Sequence, residues 1–254
     1  MKKYMLLCWC LGIWAIHAQP AAPRFKALVL YENGGHHIAY SQAARGWLDS
    51  LAAAEHFTLD YLQNTDRIDD ALLADYQLFI QLDYPPYAWT KKAEAAFINY
   101  ITSGRGGWVG FHHATLLGEF DGYPMWQWFH HFMGGIRFTD YIATFASATV
   151  TVEQPAHPVM QGVAATFGVK QEEWYTYDRS PRSNVDVLAT VDESTYRPDS
   201  KIKMGDHPVV WSNPDYAARN VYIFMGHSPS LFHNENYKKL VANAIAWAAA
   251  KTDR

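Results

Sequence analysis

Four short apolar runs restrict this chain more than any other feature. They are Phe25–Tyr31 (FKALVLY), Phe57–Tyr61, Leu78–Leu82 and Trp108–Phe111. A near-continuous apolar run, as opposed to an alternating one, is what a strand covered on both faces requires. Between the runs, Ser41–Glu55 spaces Ala44, Trp47, Leu48 and Leu51 at helical intervals, and Ile68–Tyr76 predicts a short helix. Thr90 is placed to cap a helix that runs to about Ser103 with Phe97, Ile98 and Ile101 inward. Strand and helix in this alternation predict an α/β fold with a parallel, doubly wound sheet. Ligands of such sheets bind where the carboxyl ends of the strands open into loops.

Histidines gather at those ends. Glu32-Asn33-Gly34-Gly35-His36-His37 follows the first run, and His112-His113 follows the fourth, which itself emerges from the Gly104–Gly107 turn. The second half reads as richer in β-structure. Pro124–Met133 predicts a helix ending at Gly134-Gly135, Ala143–Val152 an exposed alternating strand, and Pro155–Pro158 a turn. Val169–Tyr177 carries Glu172-Glu173-Trp174-Tyr175, and Val185–Val191 and Val209–Trp211 predict short strands. Val221–Met225 is a stronger strand ending at Gly226-His227-Ser228, and Tyr237–Ala250 a closing helix. No linker divides residues 25–250, so one domain is expected.

The first 18 residues have the charged start (Lys2, Lys3), apolar stretch (Met5–Ile16) and small terminal residue (Ala18) of an export signal, with residues 19–24 as a leader. The apolar stretch is too short to argue for a membrane span. Both cysteines, Cys8 and Cys10, fall inside it, so a mature chain would have no thiol for a nucleophile, a disulfide or a metal. Trp9 disfavours lipid anchoring at Cys10, and export to a bacterial-type periplasm is the expectation. A net charge of −4 gives no reason to expect nucleic acid or an anionic membrane as partner. The sequence leaves the oligomeric state open.

Neutral imidazole accepts a proton or binds a metal, and a carboxylate supplies acid–base work or a further ligand. Singly, each histidine fits a structural hydrogen bond as well as a functional role; several at equivalent strand ends favour function. His37, His112, His227 and Glu173 could thus converge on a divalent metal such as zinc, although their spacing matches no HExxH-type motif. His130 and His131 fit a helix surface, His157 and His207 fit turns before proline, and His233 fits a cap for the last helix. The aromatic run Trp126, Trp128, Phe129 fits core or a pocket wall. Nucleophile-elbow, Walker and dinucleotide-binding glycine motifs are absent from the sequence.

GWVGFHHA, VEQPAHPVMQGV, EEWY and HPVVW…NVYIFMGHS, with a closing AIAWA helix, together resemble the ThuA-like (trehalose utilisation) family over about Phe25–Ala250. The resemblance implies a flavodoxin-like, class I glutamine amidotransferase-like fold. In amidotransferases the turn after this strand carries a cysteine; the like position here is about His112, which excludes glutamine hydrolysis. The resemblance also implies a sugar ligand, a glycoside or its 3-keto derivative. Gly110 and His112, then Glu172, Glu173 and Tyr175, then Gly226 and His227 match the family's motifs. Ile38 stands where an acid usually follows the first histidine pair, and Tyr141 where a later histidine is expected.

The resulting expectation is a sugar-processing enzyme with His112 or His227 as base and Glu173 as acid or orienting group. His36, His113, Glu172, Tyr175 and Trp126 would bind substrate, and His37, His112 and His227 would hold any metal. The other reading is a carbohydrate-binding or sensing protein on the same scaffold, without catalysis. A fold shared by many activities does not choose between them.

Overall fold

The computed structural model describes residues 22–250 apart from Asn33 and His36. The segment read as an export signal lies outside the described residues. Five parallel strands form one half of a nine-stranded sheet: β1 (Lys26–Tyr31), β2 (Thr58–Leu62), β3 (Leu78–Leu82), β4 (Gly107–Phe111) and β11 (Asn220–Ile223), in the order β2-β1-β3-β4-β11. β3, β4 and β11 are buried at every position, as mostly apolar strands covered on both faces must be. The sheet continues antiparallel through β10 (Pro208–Ser212), β9 (Asp186–Arg197), β6 (Ala146–Val152) and β7 (Thr166–Glu172). A separate ribbon of β5 (Phe138–Tyr141) and β8 (Tyr175–Tyr177) completes the strands.

The helices are α1 (Ile38–Glu55), α2 (Asp70–Leu73), α3 (Lys91–Thr102), α4 (Gln127–Phe132) and α5 (Glu235–Ala249). The Thr90 hydroxyl caps α3 by accepting the Ala93 N–H, as its position in the sequence predicts. α5 packs Tyr237, Leu240, Val241, Ala244, Ile245 and Ala248 inward at helical spacing. Its cap is Asn234, not His233: the amide oxygen accepts the Asn236 and Tyr237 N–H groups.

The antiparallel half departs most from the sequence reading. β6 is interior to the sheet, held between β9 and β7, and its alternation separates a buried face from a half-buried one. Val169–Tyr177 divides into β7 and β8 at Glu173-Trp174. β9 runs on to Arg197, well past the apolar segment that ends at Val191, through Asp192-Glu193-Ser194-Thr195. Those polar side chains are absorbed locally: the Asp192 carboxylate accepts from Ser194, and the Thr195 hydroxyl accepts the Thr149 N–H of β6. α4 starts at Gln127 because Trp126 is still extended, so the helix is shorter than Pro124–Met133. α2 is likewise a single turn within Ile68–Tyr76.

Candidate functional site

The parallel half delivers one polar group after another to its carboxyl edge. Glu32 and His37 follow β1, Asp83 follows β3, His112 and His113 follow β4, and His227 lies beyond β11. Glu172 ends β7, and Glu173 begins the crossing to β8. His37, His112, His227 and Glu173 each present one ligand atom, and these atoms lie within 4.8 Å of one another. Glu173 Oε2 stands 3.3 Å from His112 Nε2, 3.5 Å from His227 Nδ1 and 3.8 Å from His37 Nε2. His227 Nδ1 and His37 Nε2 are 2.7 Å apart.

The backbone is shaped for this meeting. β4 passes directly into a 3₁₀ turn, His112–Thr115, and His112 takes φ +29°, a conformation rare for a side-chain-bearing residue. Thr115 accepts from or donates to the Tyr177 and Tyr222 hydroxyls at 2.8 Å, while its own hydroxyl reaches the His112 carbonyl. Gly226 makes the close approach possible: a Cβ there would fall 2.6 Å from His112 Cβ and 2.8 Å from Asp83 Oδ1.

Hydrogen bonds fix the protons. His112 Nδ1 lies 3.1 Å from the Phe224 carbonyl, which can only accept, so Nδ1 carries the proton and Nε2 presents its lone pair to the Glu173 carboxylate. Burial, outweighing the attraction of Glu173, pushes the His112 pKa down to about 3 and that of His37 to about 4. Both rings are therefore neutral near pH 7, the form that binds metal. A lone pair aimed at a carboxylate oxygen across 3.3 Å is repulsive unless a proton or a metal cation lies between them.

The separations fit such a cation. Donor atoms bound to one ion at about 2.0–2.2 Å stand about 3–3.5 Å apart. The Glu173 distances of 3.3, 3.5 and 3.8 Å fall at and just beyond that span, the His227–His37 pair is tighter, and the whole group lies within 4.8 Å. Three imidazoles and one carboxylate suit zinc or a similar divalent transition metal.

Around this group lies a second layer. His113 Nδ1 donates to the Asp83 carbonyl at 3.2 Å, with Glu32 Oε2 at 2.8 Å from the same nitrogen. Glu32 Oε2 is also 3.7 Å from His37 Nδ1, the edge of that ring turned away from Glu173. Glu172 is fully buried and does not face the opening as a substrate-binding residue would: its Oε1 accepts the His227 N–H at 2.9 Å and the Glu173 N–H at 3.2 Å. It holds the backbone that carries two of the converging residues, Glu173 and His227. Burial pushes its pKa up to about 8. Tyr175 is buried with its ring 4.3 Å from that of His112, so it forms the floor.

Trp126, expected at the substrate, instead joins Trp89, Phe97, Trp128 and Phe129 in an aromatic cluster over α3 and α4. Its ring makes none of the aromatic contacts that link the site histidines. His36 lies outside the described residues. His157 accepts the Val159 N–H, and His207 bonds Glu193, so both have structural roles. Asp83 and Glu32 belong to the site although the sequence reading does not single them out. The one signal for Glu32 is its place in the same turn as the histidine pair.

Comparison with known proteins identifies the family and the fold. The family model described as ThuA, trehalose utilisation, matches residues 26–248. A ThuA-like protein from Bacteroides uniformis is 32% identical and superposes with a TM-score of 0.81, covering 93% of this chain and 97% of its own. A ThuA-like protein from Parabacteroides merdae, 18% identical, gives a TM-score of 0.64 over 91% of this chain and 92% of its own. A GMP synthase component from Thermoplasma acidophilum, 12% identical, gives 0.56 over 88% and 94%, which places the fold among the glutamine amidotransferase-like folds. No curated protein matches the chain. The model match across nearly the whole domain, and a relative of this identity and coverage, make this chain a member of the ThuA family.

Proposed function

We propose that this protein is an exported, metal-dependent enzyme that acts on glycosides or their 3-keto derivatives. The observation that carries the reading is the convergence of His37, His112, His227 and Glu173 with an unprotonated His112 Nε2 facing the carboxylate. These four side chains would hold a divalent metal such as zinc, and a bound metal would supply polarisation of a sugar carbonyl. The family's description in terms of trehalose utilisation supports a carbohydrate as the ligand. Export to the periplasm rests on the sequence of the first 18 residues.

With His112, His227 and Glu173 engaged as ligands, the histidine left for proton transfer is His113. Its side chain is 12% exposed, against 0% for His112 and 3% for His37. The Asp83 carbonyl holds the proton on His113 Nδ1, which leaves Nε2 as the basic nitrogen. In a 3-keto-glycoside that nitrogen would take the proton from the carbon between the ketone and the anomeric centre. The electron pair forms the new carbon–carbon double bond, the glycosidic carbon–oxygen bond breaks, and the departing oxygen takes a proton. A positioned base of this kind contributes about 10²–10⁴-fold.

The test joins elemental analysis of purified protein to product analysis with 3-keto-glycosides. Metal bound near one per chain, lost in His112→Ala together with turnover, is the expected result. Sugar recovered unchanged by metal-loaded protein would overturn catalysis in favour of a binding protein. Absence of metal after reconstitution would overturn the metal site.

A further inference from the structure

On the edge of the His37 ring turned away from Glu173 lies a second meeting of ligand-bearing atoms. One such atom from each of Glu32, His37 and His113 lies within 4.8 Å of the other two. Glu32 Oε2 stands 2.8 Å from His113 Nδ1 and 3.7 Å from His37 Nδ1. The rings of His37 and His113 meet edge-on with centroids 3.8 Å apart. The turn after β1 is built for this approach. Gly35 takes φ +67°, which glycine adopts freely, and a Cβ on it would fall 3.1 Å from Glu32 Oε1. The chain therefore folds back over the Glu32 carboxylate and brings His37 beside it.

Hydrogen bonding leaves these atoms unaccounted for. Glu32 Oε2 and His37 Nδ1 are both enclosed and without a hydrogen-bond partner. His113 Nδ1 directs its proton to the Asp83 carbonyl at 3.2 Å, so the Glu32 oxygen beside it receives none. An enclosed carboxylate oxygen between two nitrogens carries a desolvation cost that no hydrogen bond offsets. A metal on His37 Nε2 would sharpen the problem, because the ring's proton would then sit on Nδ1 with no acceptor in reach.

A second cation resolves both. The separations of 2.8 and 3.7 Å bracket the roughly 3–3.5 Å between donor atoms that share one ion. The Asp83 carbonyl oxygen, 3.2 Å from His113 Nδ1, offers a fourth donor at the same span. Two imidazole nitrogens and two oxygens suit zinc. His113 and Glu32 are also more exposed than His112, which puts this group nearer to solvent than the first.

We propose that Glu32, His37 Nδ1 and His113 Nδ1 form a second, weaker site for a divalent ion such as zinc, joined to the first through the His37 ring. This rests on the metal reading above and adds a form of regulation to it. The second site is weaker because two cations sharing one imidazole repel, and because His37 must give its Nδ1 proton to solvent as the second ion binds. The His113 proton leaves Nδ1 as well and is carried on Nε2, the nitrogen assigned above as the base. Protein holding one ion is then active, and excess zinc inhibits it.

The experiment titrates zinc into metal-stripped wild type, Glu32→Gln and His113→Ala by calorimetry, with elemental analysis alongside. Wild type is expected to take up two ions in separate steps. Both variants are expected to keep the first ion, which also reports that they fold, and to lose the second. Filling the second site should lower wild-type turnover of a 3-keto-glycoside about 100-fold, the loss of a positioned base. Glu32→Gln should stay at its own one-ion rate in the same excess of zinc. One ion in wild type, or a second ion that both variants keep, would overturn the second site and leave the first standing. No ion at all would overturn both, and two ions with turnover unchanged would overturn the inhibition. The titration needs no sugar, so failure of the carbohydrate reading leaves it decisive.

Discussion

Among the described residues, two buried groups bring histidine against glutamate, and they are built on opposite rules. In the antiparallel half, Glu193 and His207 lie on neighbouring strands at the β9–β10 connection. The Glu193 carboxylate accepts the Met204 N–H at 2.8 Å, the Gly205 N–H at 2.8 Å and the His207 Nδ1–H at 3.0 Å. Trp174 and Phe224 pack around the far side of that imidazole. Every one of these contacts of the carboxylate is with a donor, and the imidazole Nε2 is enclosed without a hydrogen-bond partner. At the carboxyl edge of the parallel half, Glu173 instead faces three imidazole nitrogens drawn from three separate strand ends, and at least one of them is a lone pair. Burial and the residue pair are the same in both places. What separates a structural pair from a site is whether the convergent atoms are donors or acceptors.

The sharpest way to break this contrast is to remove ligands from each group. His112→Ala, His227→Ala and Glu173→Gln should each weaken metal binding by more than about 100-fold, beyond what loss of an outer partner causes. Turnover should fall with it. His207→Ala should leave metal per folded chain at the wild-type value. Equal metal binding in His112→Ala and wild type, measured by elemental analysis after dialysis, would remove the distinction between the two groups.

Glu193→Ala should act on stability instead. It leaves the Met204 and Gly205 N–H groups and the His207 ring without their acceptor, a loss of about 2–4 kcal/mol. Urea unfolding should show the loss, with metal binding by the folded fraction unchanged. A stability change under about 0.5 kcal/mol would show that water replaces the carboxylate without cost.

The same contrast explains what the sequence could and could not disclose. β3 and the Thr90 cap are legible because one apolar run and one hydroxyl decide them. His112, His227 and Glu173 are legible as a set because strand ends and adjacent motifs point at one sheet edge. Nothing local marks His207 as closed, since its partner Glu193 is read only once β9 is known to run past Val191. Asp192-Glu193-Ser194-Thr195 looks like a turn, and pairing with β6 at Asp192 and Arg197 keeps it extended. Trp126 departs from its expected place at the substrate for the same reason. Its ring found neighbours in α3 and α4. Exposure of a ring is a property of tertiary position, not of residue type.

Glu32→Gln gives a smaller effect that sharpens the boundary of the site. The Glu32 carboxylate lies beside both His37 Nδ1 and His113 Nδ1, on the outer side of the ligand ring. Carboxylates in that place orient metal-binding imidazoles and raise their basicity, and losing one weakens binding about 10-fold. The measurement is a competition titration with a zinc chelator, with unfolding midpoint as control. Affinity unchanged in Glu32→Gln would mean that the ligand ring is held by Glu172 and the strand ends alone.

The smallest expected effect is a pH dependence, and it tests the closed group directly. Burial acts to raise the Glu193 pKa, but His207 and the Met204 and Gly205 N–H groups outweigh it, so the folded protein holds this carboxyl below the ordinary value of 4.5. Below that ordinary value the unfolded chain takes up a proton that the folded chain still refuses, so the unfolded state binds more protons. The stability that Glu193 contributes is therefore complete above the ordinary value and is lost as pH falls through the folded one. Glu193→Gln has no such proton to take. The stability gap between wild type and Glu193→Gln should stay constant near neutrality and narrow in acid, as read by urea unfolding at a series of pH values. A gap that does not narrow would mean the carboxylate gains nothing from its donors, and saturation by donors would no longer account for why this pair is not a site.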